Sequence, residues 1–345
     1  MKPANPVSGL DYRHLLRMSD DTGLFEHARG PLPRREHGYC LDDVARGLVV
    51  LSRERRLSPE LSRLQEILLA FTAHAHDNGR FRNRLGYDRR WQDDPDLGDW
   101  WGRALWGLGS TAAHADRAWV RTAAGTLFDS AARHRSPAQR AMVFAALGAA
   151  EVLARQPQDG PARRLLDATV SAIGPIPARP EWPWPESRLR YANAAVAEAL
   201  IAAGSLLSDE DVLADGLRVL EWLVDLQTHQ GWLSVVPARG WVQGEVAPGF
   251  DQQPIEVAAL AAACSRAHAV TGAARWAGVV RLARDWFLGV NDARTPLAGT
   301  TGGCADGLRA DGVSTNQGAE STLALLHTCQ LERHRMDLAA AAGVV

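Results

Sequence analysis

The sequence predicts an all-α protein with an (α/α)6 toroid fold, in which six helical hairpins form an inner and an outer ring. The main observation is a junction that occurs six times, where a short polar or aromatic cluster leads directly into a segment rich in Ala, Leu and Gly. The junctions follow one another after 56, 41, 53, 63 and 64 residues, counted between Asp43, Asp99, Arg140, Asn193, Glu256 and Glu320. Each interval suits a helix, a turn, a second helix and a loop, so a closed ring would bring all six junctions to one mouth.

Two kinds of helix alternate along the chain. The segments 140–150, 192–203 and 255–264 follow junctions and are apolar almost all round, as helices packed on every side must be. The intervening segments are amphipathic, with polar residues on the face opposite the apolar stripe. Ser58 and Ser208 are expected to cap two of these outer helices, because a serine side chain accepts a hydrogen bond from a free N–H of the first turn.

Short β-hairpins are predicted between the helices. Segments 79–86 and 231–242 alternate apolar and polar residues between turn residues, and they precede inner helices, so they should lie at the mouth that holds the junctions. A short helix within 9–18 would close the ring against the last hairpin. A solenoid or an irregular bundle is the alternative all-α fold, but the unequal intervals disfavour the regular repeats of a solenoid.

Composition limits the domain organisation and the partners. No linker or charge block divides the chain, so we predict one toroid domain over 1–345, frayed at 1–8 and 335–345. The formal net charge is -2 without a basic stripe, which disfavours nucleic acid. No run of 18 apolar residues occurs, so we expect no membrane insertion. The four widely separated cysteines fit reduced thiols in a cytoplasmic protein.

Several chemistries lack the residues they need. Lys2 is the only lysine, which excludes a Walker A loop, a pyridoxal phosphate site and a Ser-x-x-Lys acylase. Neither G-x-G-x-x-G nor G-x-S-x-G occurs. His74 and His76 resemble metal ligands, but residues two apart diverge on a helix and a third ligand is missing. We therefore predict no cofactor and no metal.

Acidic residues crowd the junctions, and we expect catalysis from Asp43, Asp99 and Glu320. Cleavage of a glycosidic bond needs two carboxyl groups, one to donate a proton and one to activate water or attack carbon. Crowding and partial burial raise the pKa of one carboxyl while the other stays ionised. The sequence does not say which group is the acid. Simple N-capping is the alternative, since acids stabilise first helical turns, but a cap does not need a tryptophan or an arginine beside it.

Amides, arginines and aromatic rings at the same junctions are predicted to bind a sugar. Tryptophan faces match the C–H face of a pyranose, while acids and amides bond its hydroxyls. The alternative is that the rings plug the rim of the toroid. The predicted binding residues are His37, Tyr39, Asp42, Trp100, Trp101, Arg103, Trp184, Glu186, Asn193, Gln253, Glu256, Asn316 and Gln317.

Segments 19–30 and 37–46 are similar to the opening of a helical bacterial family whose domain is found fused to or near family 4 glycosyltransferases and mannoside phosphorylases. Val44 stands where that family is expected to have Asn in Asp-Asp-Asn-Ala-Arg. Shorter similarities follow at 98–103, 250–254 and 316–321. More broadly, the layout resembles the (α/α)6 toroids of carbohydrate-active enzymes. The resemblance implies a carbohydrate ligand and association with a glycosyltransferase, but no particular reaction.

These observations favour a cytoplasmic glycosidase that acts on a short oligosaccharide or glycoconjugate. One alternative is a sugar epimerase or isomerase on the same scaffold. That chemistry needs histidines in the funnel as proton carriers, and only His37 and His27 are placed for it. The other alternative is a non-catalytic glycan-binding partner of a glycosyltransferase.

Overall fold

The structure is a computed structural model that describes residues 10–245 and 249–341. It is predominantly helical, and every strand in the described ranges is two residues long. The helices are α1 (Arg13–Arg17), α2 (Leu41–Ser52), α3 (Pro59–Ala75), α4 (Asp99–His114), α5 (Ala118–Ala131), α6 (Gln139–Arg155), α7 (Gly160–Ile173), α8 (Ala194–Leu207), α9 (Glu210–Gln227), α10 (Pro254–Thr271), α11 (Ala274–Phe287) and α12 (Ala319–Ala341). The strands are β1 (Ala28–Arg29), β2 (Leu32–Pro33), β3 (Tyr39–Cys40), β4 (His76–Asp77), β5 (Arg80–Phe81), β6 (Arg84–Leu85), β7 (Arg188–Leu189), β8 (Thr228–His229), β9 (Trp232–Leu233), β10 (Trp241–Val242), β11 (Leu308–Arg309) and β12 (Gly312–Val313).

The even-numbered helices form a closed inner ring. Each of α2, α4, α6, α8 and α10 packs against the next even-numbered helix, and α12 packs against α2. The helices α3, α5, α7, α9 and α11 each pack outside the inner helix that precedes them, and the short α1 contacts α12 and α3. This arrangement confirms the predicted (α/α)6 toroid, including the short first helix that closes the ring.

Small residues let the inner helices approach closely. A Cβ atom added at Gly102 would lie 2.1 Å from the carbonyl oxygen of Ala141, and one added at Gly148 would lie 2.1 Å from that of Leu105. Either contact is far too short, so α4 and α6 pack backbone against backbone at these points. The Ala- and Gly-rich composition of the inner helices therefore has a direct steric cause.

The predicted caps of the outer helices are right in one case and one residue off in the other. The Ser58 hydroxyl accepts a hydrogen bond from the Leu61 N–H at 3.3 Å and caps α3. The cap of α9 is Asp209, which accepts from the Val212 N–H at 3.1 Å. Ser208 instead has a left-handed backbone and ends α8, because the chain must reverse direction between the two helices.

Short strand pairs connect the segments between the helices. The pairs β4–β5 and β8–β9 flank two-residue turns, Asn78-Gly79 and Gln230-Gly231, in which all four residues have positive φ. Such turns match the twist of paired strands. The predicted hairpins over 79–86 and 231–242 therefore begin one strand earlier than expected. The later strands in those segments pair elsewhere, β6 with β3 and β10 with β7, and join segments that are distant in sequence.

The last helix extends further than expected. We expected fraying from residue 335, but α12 continues to Ala341. Arg335 donates to Glu332 at 2.7 Å within the helix, and Asp337 is paired with Arg55, so ion pairs hold this turn. Residues 1–8 and 342–345 lie outside the described ranges. Within the described ranges no helix is long and apolar enough to cross a membrane.

Candidate functional site

The polar junctions converge where the inner helices begin. Arg46, on α2, forms an ion pair with Glu320, on α12. Asn193, at the start of α8, donates to Glu256 of α10 at 2.8 Å. Arg140, on α6, lies within 3.5 Å of the Asn193 side-chain oxygen. These contacts join residues 53 to 274 positions apart in the sequence, so the junctions form one mouth as the spacing predicted.

Two of the predicted catalytic carboxyl groups share one guanidinium. Arg46 donates to Asp43 Oδ1 from Nη1 at 2.7 Å, and its Nη2 bonds to Glu320 Oε2. Asp43 is 3% exposed, whereas the Glu320 side chain is 38% exposed. One carboxyl is therefore enclosed and the other is reachable from the mouth.

Burial sets the protonation of the enclosed acid. Loss of solvent raises the pKa of Asp43 to about 8, and the opposing attraction of Arg46 is smaller. Burial also raises the pKa of Asp99, at the first position of α4, where Arg103, Asp42 and Arg46 are close enough to act on its charge. The third predicted catalytic residue thus faces the same group of charges.

A second cluster occupies the neighbouring part of the mouth. Glu256 is buried and accepts hydrogen bonds from the backbone and side-chain nitrogens of Asn193. Burial raises the pKa of Glu256 to about 7, against the effect of these bonds. Arg140 donates to Glu186 at 3.0 Å. The predicted binding residues Asn193, Glu256 and Glu186 therefore form a bonded set around Arg140.

Two neighbouring cavities lie at the mouth and in the ring. The rim cavity has a volume of about 250 Å³ and is lined by Glu26, His27, Cys40, Asp42, Asp43, Arg46, Arg84, Gln253, Asp306, Gly318, Glu320 and Ser321. The central cavity, of about 50 Å³, is lined by Arg46, Val50, Arg103, Trp106, Phe144, Leu147, Ala192, Ala195, Glu198, Ile255, Ala258, Ala259, Ala262, Glu320, Leu323, Ala324 and His327. Arg46 and Glu320 line both cavities, so their ion pair lies between the two.

Several predicted binding residues lie elsewhere. The rings of Tyr39, Trp101 and Trp184 are at most 1% exposed and belong to the core. The Trp100 Nε1–H donates to the Phe81 carbonyl at 2.7 Å, which holds that ring against a rim loop. Gln317 lies against the backbone of 299–303. None of these five lines either cavity, and for the tryptophans this agrees with the plugging alternative.

The remaining predicted residues lie at or beside the rim. Asn316 lies 3.0 Å from His27 Nδ1 and also donates to Asp306, and both of these partners line the rim cavity. The His37 ring contacts the His27 ring edge to face, with 4.8 Å between centroids. Gln253 lines the rim cavity itself.

Arg46, Trp106 and His327 line the cavities but were not among the predicted site residues. Each follows a predicted catalytic acid on the same helix, three residues after Asp43, or seven after Asp99 or Glu320. Residues at these spacings share a helix face. The helical period, applied inward from each junction, was the signal that could have found them.

Comparison with known proteins agrees with the fold. No family model and no curated protein matches the chain. Among solved structures, a cellobiose 2-epimerase from Spirochaeta thermophila has a TM-score of 0.74 at 13% identity, covering 97% of this chain and 96% of its own. A D-mannose isomerase has a TM-score of 0.67 at 10% identity, covering 92% of this chain and 94% of its own. A GH76 α-mannanase of Bacteroides thetaiotaomicron has a TM-score of 0.59 at 10% identity, covering 87% of this chain and 88% of its own. At these identities the likeness extends to the fold alone.

Proposed function

We propose that this chain is a carbohydrate-active enzyme that holds a sugar in the rim cavity and hydrolyses its glycosidic bond by carboxyl acid and base catalysis. One observation carries the proposal. Asp43 and Glu320 bond to different nitrogens of the same Arg46 guanidinium at the base of the rim cavity. Glycoside cleavage needs two carboxyl groups that flank the bond, and one guanidinium holds these two near each other.

The two carboxyl groups suit different roles. Asp43 has a pKa of about 8, so it carries a proton at neutral pH and donates it to the leaving oxygen. Glu320 is more exposed and bonds to Arg46, so it can reach water or the anomeric carbon and is the candidate base or nucleophile. When Asp43 loses its proton, the adjacent Arg46 stabilises the new charge. Asp99 is the second candidate for the base.

The sugar itself would be bound by the polar lining of the rim. His27, Gln253 and Asp306 offer donors and acceptors to hydroxyl groups. The names of the structural neighbours, which include an α-mannanase and two enzymes that act on sugars, are compatible with this ligand class.

A sugar epimerase or isomerase is the second candidate, and His327 favours it. This is the one histidine that lines the central cavity in the described part of the chain. Burial lowers its pKa to about 3, so the ring is neutral. A proton carrier works best with a pKa near the working pH, and the Arg53 guanidinium already lies 3.0 Å from His327 Nε2. Both features place this candidate second.

The test is a panel of aryl glycosides with manno- and gluco-oligosaccharides, assayed with wild type, Asp43→Asn and a matched control, Asp167→Asn. Asp167 is exposed on the outer helix α7. We expect the first variant to lose about 10²–10⁴-fold in kcat/KM, the usual contribution of a general acid, and the control to keep full activity. Equal activity of Asp43→Asn and wild type would remove Asp43 from the mechanism.

A parallel incubation with free hexoses in deuterated water distinguishes the second candidate. Epimerisation beside a carbonyl exchanges a carbon-bound proton for deuterium, and hydrolysis does not. Deuterium incorporation that is lost in His327→Gln, without cleavage of any glycoside, would replace the hydrolase proposal with the epimerase.

A cytoplasmic location and association with a glycosyltransferase belong to the same proposal and rest on the sequence alone. Copurification of the two proteins from cells that express both would support the association. A glycosyltransferase that elutes separately at every protein concentration would contradict it.

A further inference from the structure

Arg103 is a buried cation whose hydrogen-bonding capacity is unused. Its side chain is 4% exposed, and the guanidinium carbon lies 3.8 Å above the centre of the Phe144 ring. Its nearest carboxylate in 10–245 and 249–341 is Asp42, 4.0 Å from Nε and too far for a hydrogen bond. A guanidinium has five N–H donors, and leaving them unpaired in a buried position is costly. The aromatic ring supports the cation from one face only, so its edge remains for a ligand.

Asp42 faces this arginine with an unused acceptor. Its Oδ1 atom is buried and has no hydrogen-bond partner in the described part of the chain. The Arg103 Nε atom is 4.0 Å away, which exceeds the length of an N–H···O hydrogen bond. The other oxygen, Oδ2, lies 3.5 Å from the Asn83 amide nitrogen. A donor and an acceptor are therefore held opposite each other with a gap between them.

Each side of the gap borders one of the two cavities. Asp42 lines the rim cavity and Arg103 lines the central cavity. Arg46 and Glu320, the residues shared by both cavities, carry the proposed catalytic ion pair. A ligand that reaches Glu320 can therefore also place a group beside Asp42 and Arg103.

We infer that Asp42 and Arg103 together bind one hydroxyl group of the sugar, with Asp42 accepting a hydrogen bond and Arg103 donating one. A hydroxyl is both a donor and an acceptor. One oxygen at an ordinary hydrogen-bond length of about 2.8 Å from both residues bridges a 4.0 Å gap. The inference rests on the proposed function, since it assigns a specificity subsite to the sugar of that proposal.

The surrounding charges favour a neutral sugar over an anionic one. Asp42, Glu320 and Asp99 all lie close enough to Arg103 to act on its charge, and the positive charge of Arg46 opposes them. A carboxylate or phosphate on the ligand would meet these three acids as well as the two guanidinium groups. A hydroxyl satisfies both partners without adding charge.

The experiment measures binding, so it does not depend on turnover. Calorimetry first identifies a manno- or gluco-oligosaccharide that binds wild type, and each monodeoxy analogue of its terminal sugar is then titrated. We expect one analogue to bind about a hundredfold more weakly, because a site built to hydrogen-bond a hydroxyl strongly rejects a ligand without it. In Arg103→Met that analogue and the parent sugar should bind almost equally well, and in Asp42→Asn, whose amide oxygen still accepts a hydrogen bond, the difference should shrink by a smaller factor.

Two variants and a control keep the outcome clear. Arg103→Met removes a buried residue and is checked by thermal unfolding, whereas Asp42→Asn keeps the shape of the site. Arg63→Met, on the exposed face of α3, should preserve the full discrimination of wild type.

Deoxy analogues that lose affinity equally in wild type and in both variants would overturn the subsite while leaving the proposed function intact. Tighter binding of uronic acid analogues through Arg103 would replace the hydroxyl with an anion. Failure of every sugar to bind would overturn the subsite and the proposed function together.

Discussion

The two mouths of the helical ring differ in how their buried charges are paired. At the mouth opposite the rim, a far cavity of about 620 Å³ is lined by Arg53, His114, Glu151 and Arg266 among others. Glu151 accepts hydrogen bonds from Arg53 at 2.8 Å and from Arg266 at 3.1 Å, and His114 Nε2 lies 2.7 Å from it. Arg266 also donates to Glu198 at 3.1 Å. At this end each of these charges has a partner within the ring.

At the rim, by contrast, buried charged groups keep atoms without a hydrogen-bond partner. Within the described ranges, Asp42 Oδ1 and Arg46 Nε have no hydrogen-bond partner. The effects on carboxyl pKa are opposite too. Arg53, His114 and Arg266 outweigh burial and hold the pKa of Glu151 well below its usual range, while burial dominates at Asp43 and raises its pKa to about 8. A carboxyl kept protonated at neutral pH is suited to proton transfer, and a fully paired one is suited to structure.

Helix direction explains part of this difference. The inner helices end at the far mouth, where their free carbonyl groups favour cations, and Arg53 follows the last residue of α2 while His114 ends α4. The inner helices begin at the rim, where free N–H groups favour acids. Four of the rim acids nevertheless have raised pKa values, Asp43, Asp99, Glu256 and Asp306. Burial therefore exceeds the stabilisation that helix starts provide.

The largest expected effect is a loss of activity when a carboxyl group at the rim is replaced. Replacing Glu320 with Gln should lower kcat/KM about 10³-fold, or about 4 kcal/mol of transition-state stabilisation, because Gln keeps the shape but cannot act as base or nucleophile. Steady-state kinetics on the best substrate of the panel measures this loss. The free energy of unfolding should fall by less than the roughly 3–5 kcal/mol of a fully buried ion pair, since the Glu320 side chain is 38% exposed. A variant with wild-type kcat/KM would show that the rim carboxylates are only capping groups.

The second effect is a loss of stability without a loss of activity, and it is expected at the far mouth. Glu151→Gln leaves Arg53 and Arg266 without their shared carboxylate, and removing one partner of a buried ion pair costs about 3–5 kcal/mol. Urea unfolding followed by circular dichroism gives this value. The kcat/KM of the folded fraction should stay close to that of wild type, because Glu151 lines neither the rim cavity nor the central cavity. A variant that is stable but inactive would show that the chemistry takes place at the far mouth and not at the rim.

Sequence patterns predicted the ring and the mouth because both follow from local rules. Polar junctions before apolar helices determine which helices are inner, and successive helix starts on one side of a ring must meet. Asp43, Asp99 and Glu320 were predicted on this basis. The pattern could not predict that Arg46 would bridge Asp43 and Glu320, since the pair joins α2 to α12 across 274 positions.

The aromatic residues show where local patterns fail. Trp101 and Trp106 lie on the same helix, yet one is buried between helices and the other lines the central cavity. Proximity to a junction favoured Trp101, but the helix face decides, and Trp106 shares a face with Asp99 and Arg103. The face that points inward depends on how neighbouring helices pack. The sequence of a single helix therefore does not determine it.

A smaller effect concerns pH. A carboxyl whose pKa is raised on folding binds a proton more tightly in the native state, so its contribution to stability is complete below its ordinary pKa of 3.8 and is lost as the pH rises through about 8. Asp43→Asn removes this loss. The stability of the variant relative to wild type should therefore increase between about pH 5 and about pH 8. Unfolding free energies of both proteins across this range test it, and parallel curves would mean that Asp43 ionises in the native state as it does in the unfolded chain.

The smallest effect compares two tryptophans. Trp106 lines the central cavity and stacks near Phe144, with 6.0 Å between ring centroids, so it offers an aromatic face to a ligand at the base of the rim. Trp106→Phe should weaken sugar binding about 3- to 10-fold, the usual value of one aromatic contact. Trp119, on the outer helix α5, is 54% exposed, and Trp119→Phe should leave affinity unchanged. Calorimetric titration of both variants measures the difference. Equal affinities would restrict the ligand to the rim cavity and exclude it from the ring.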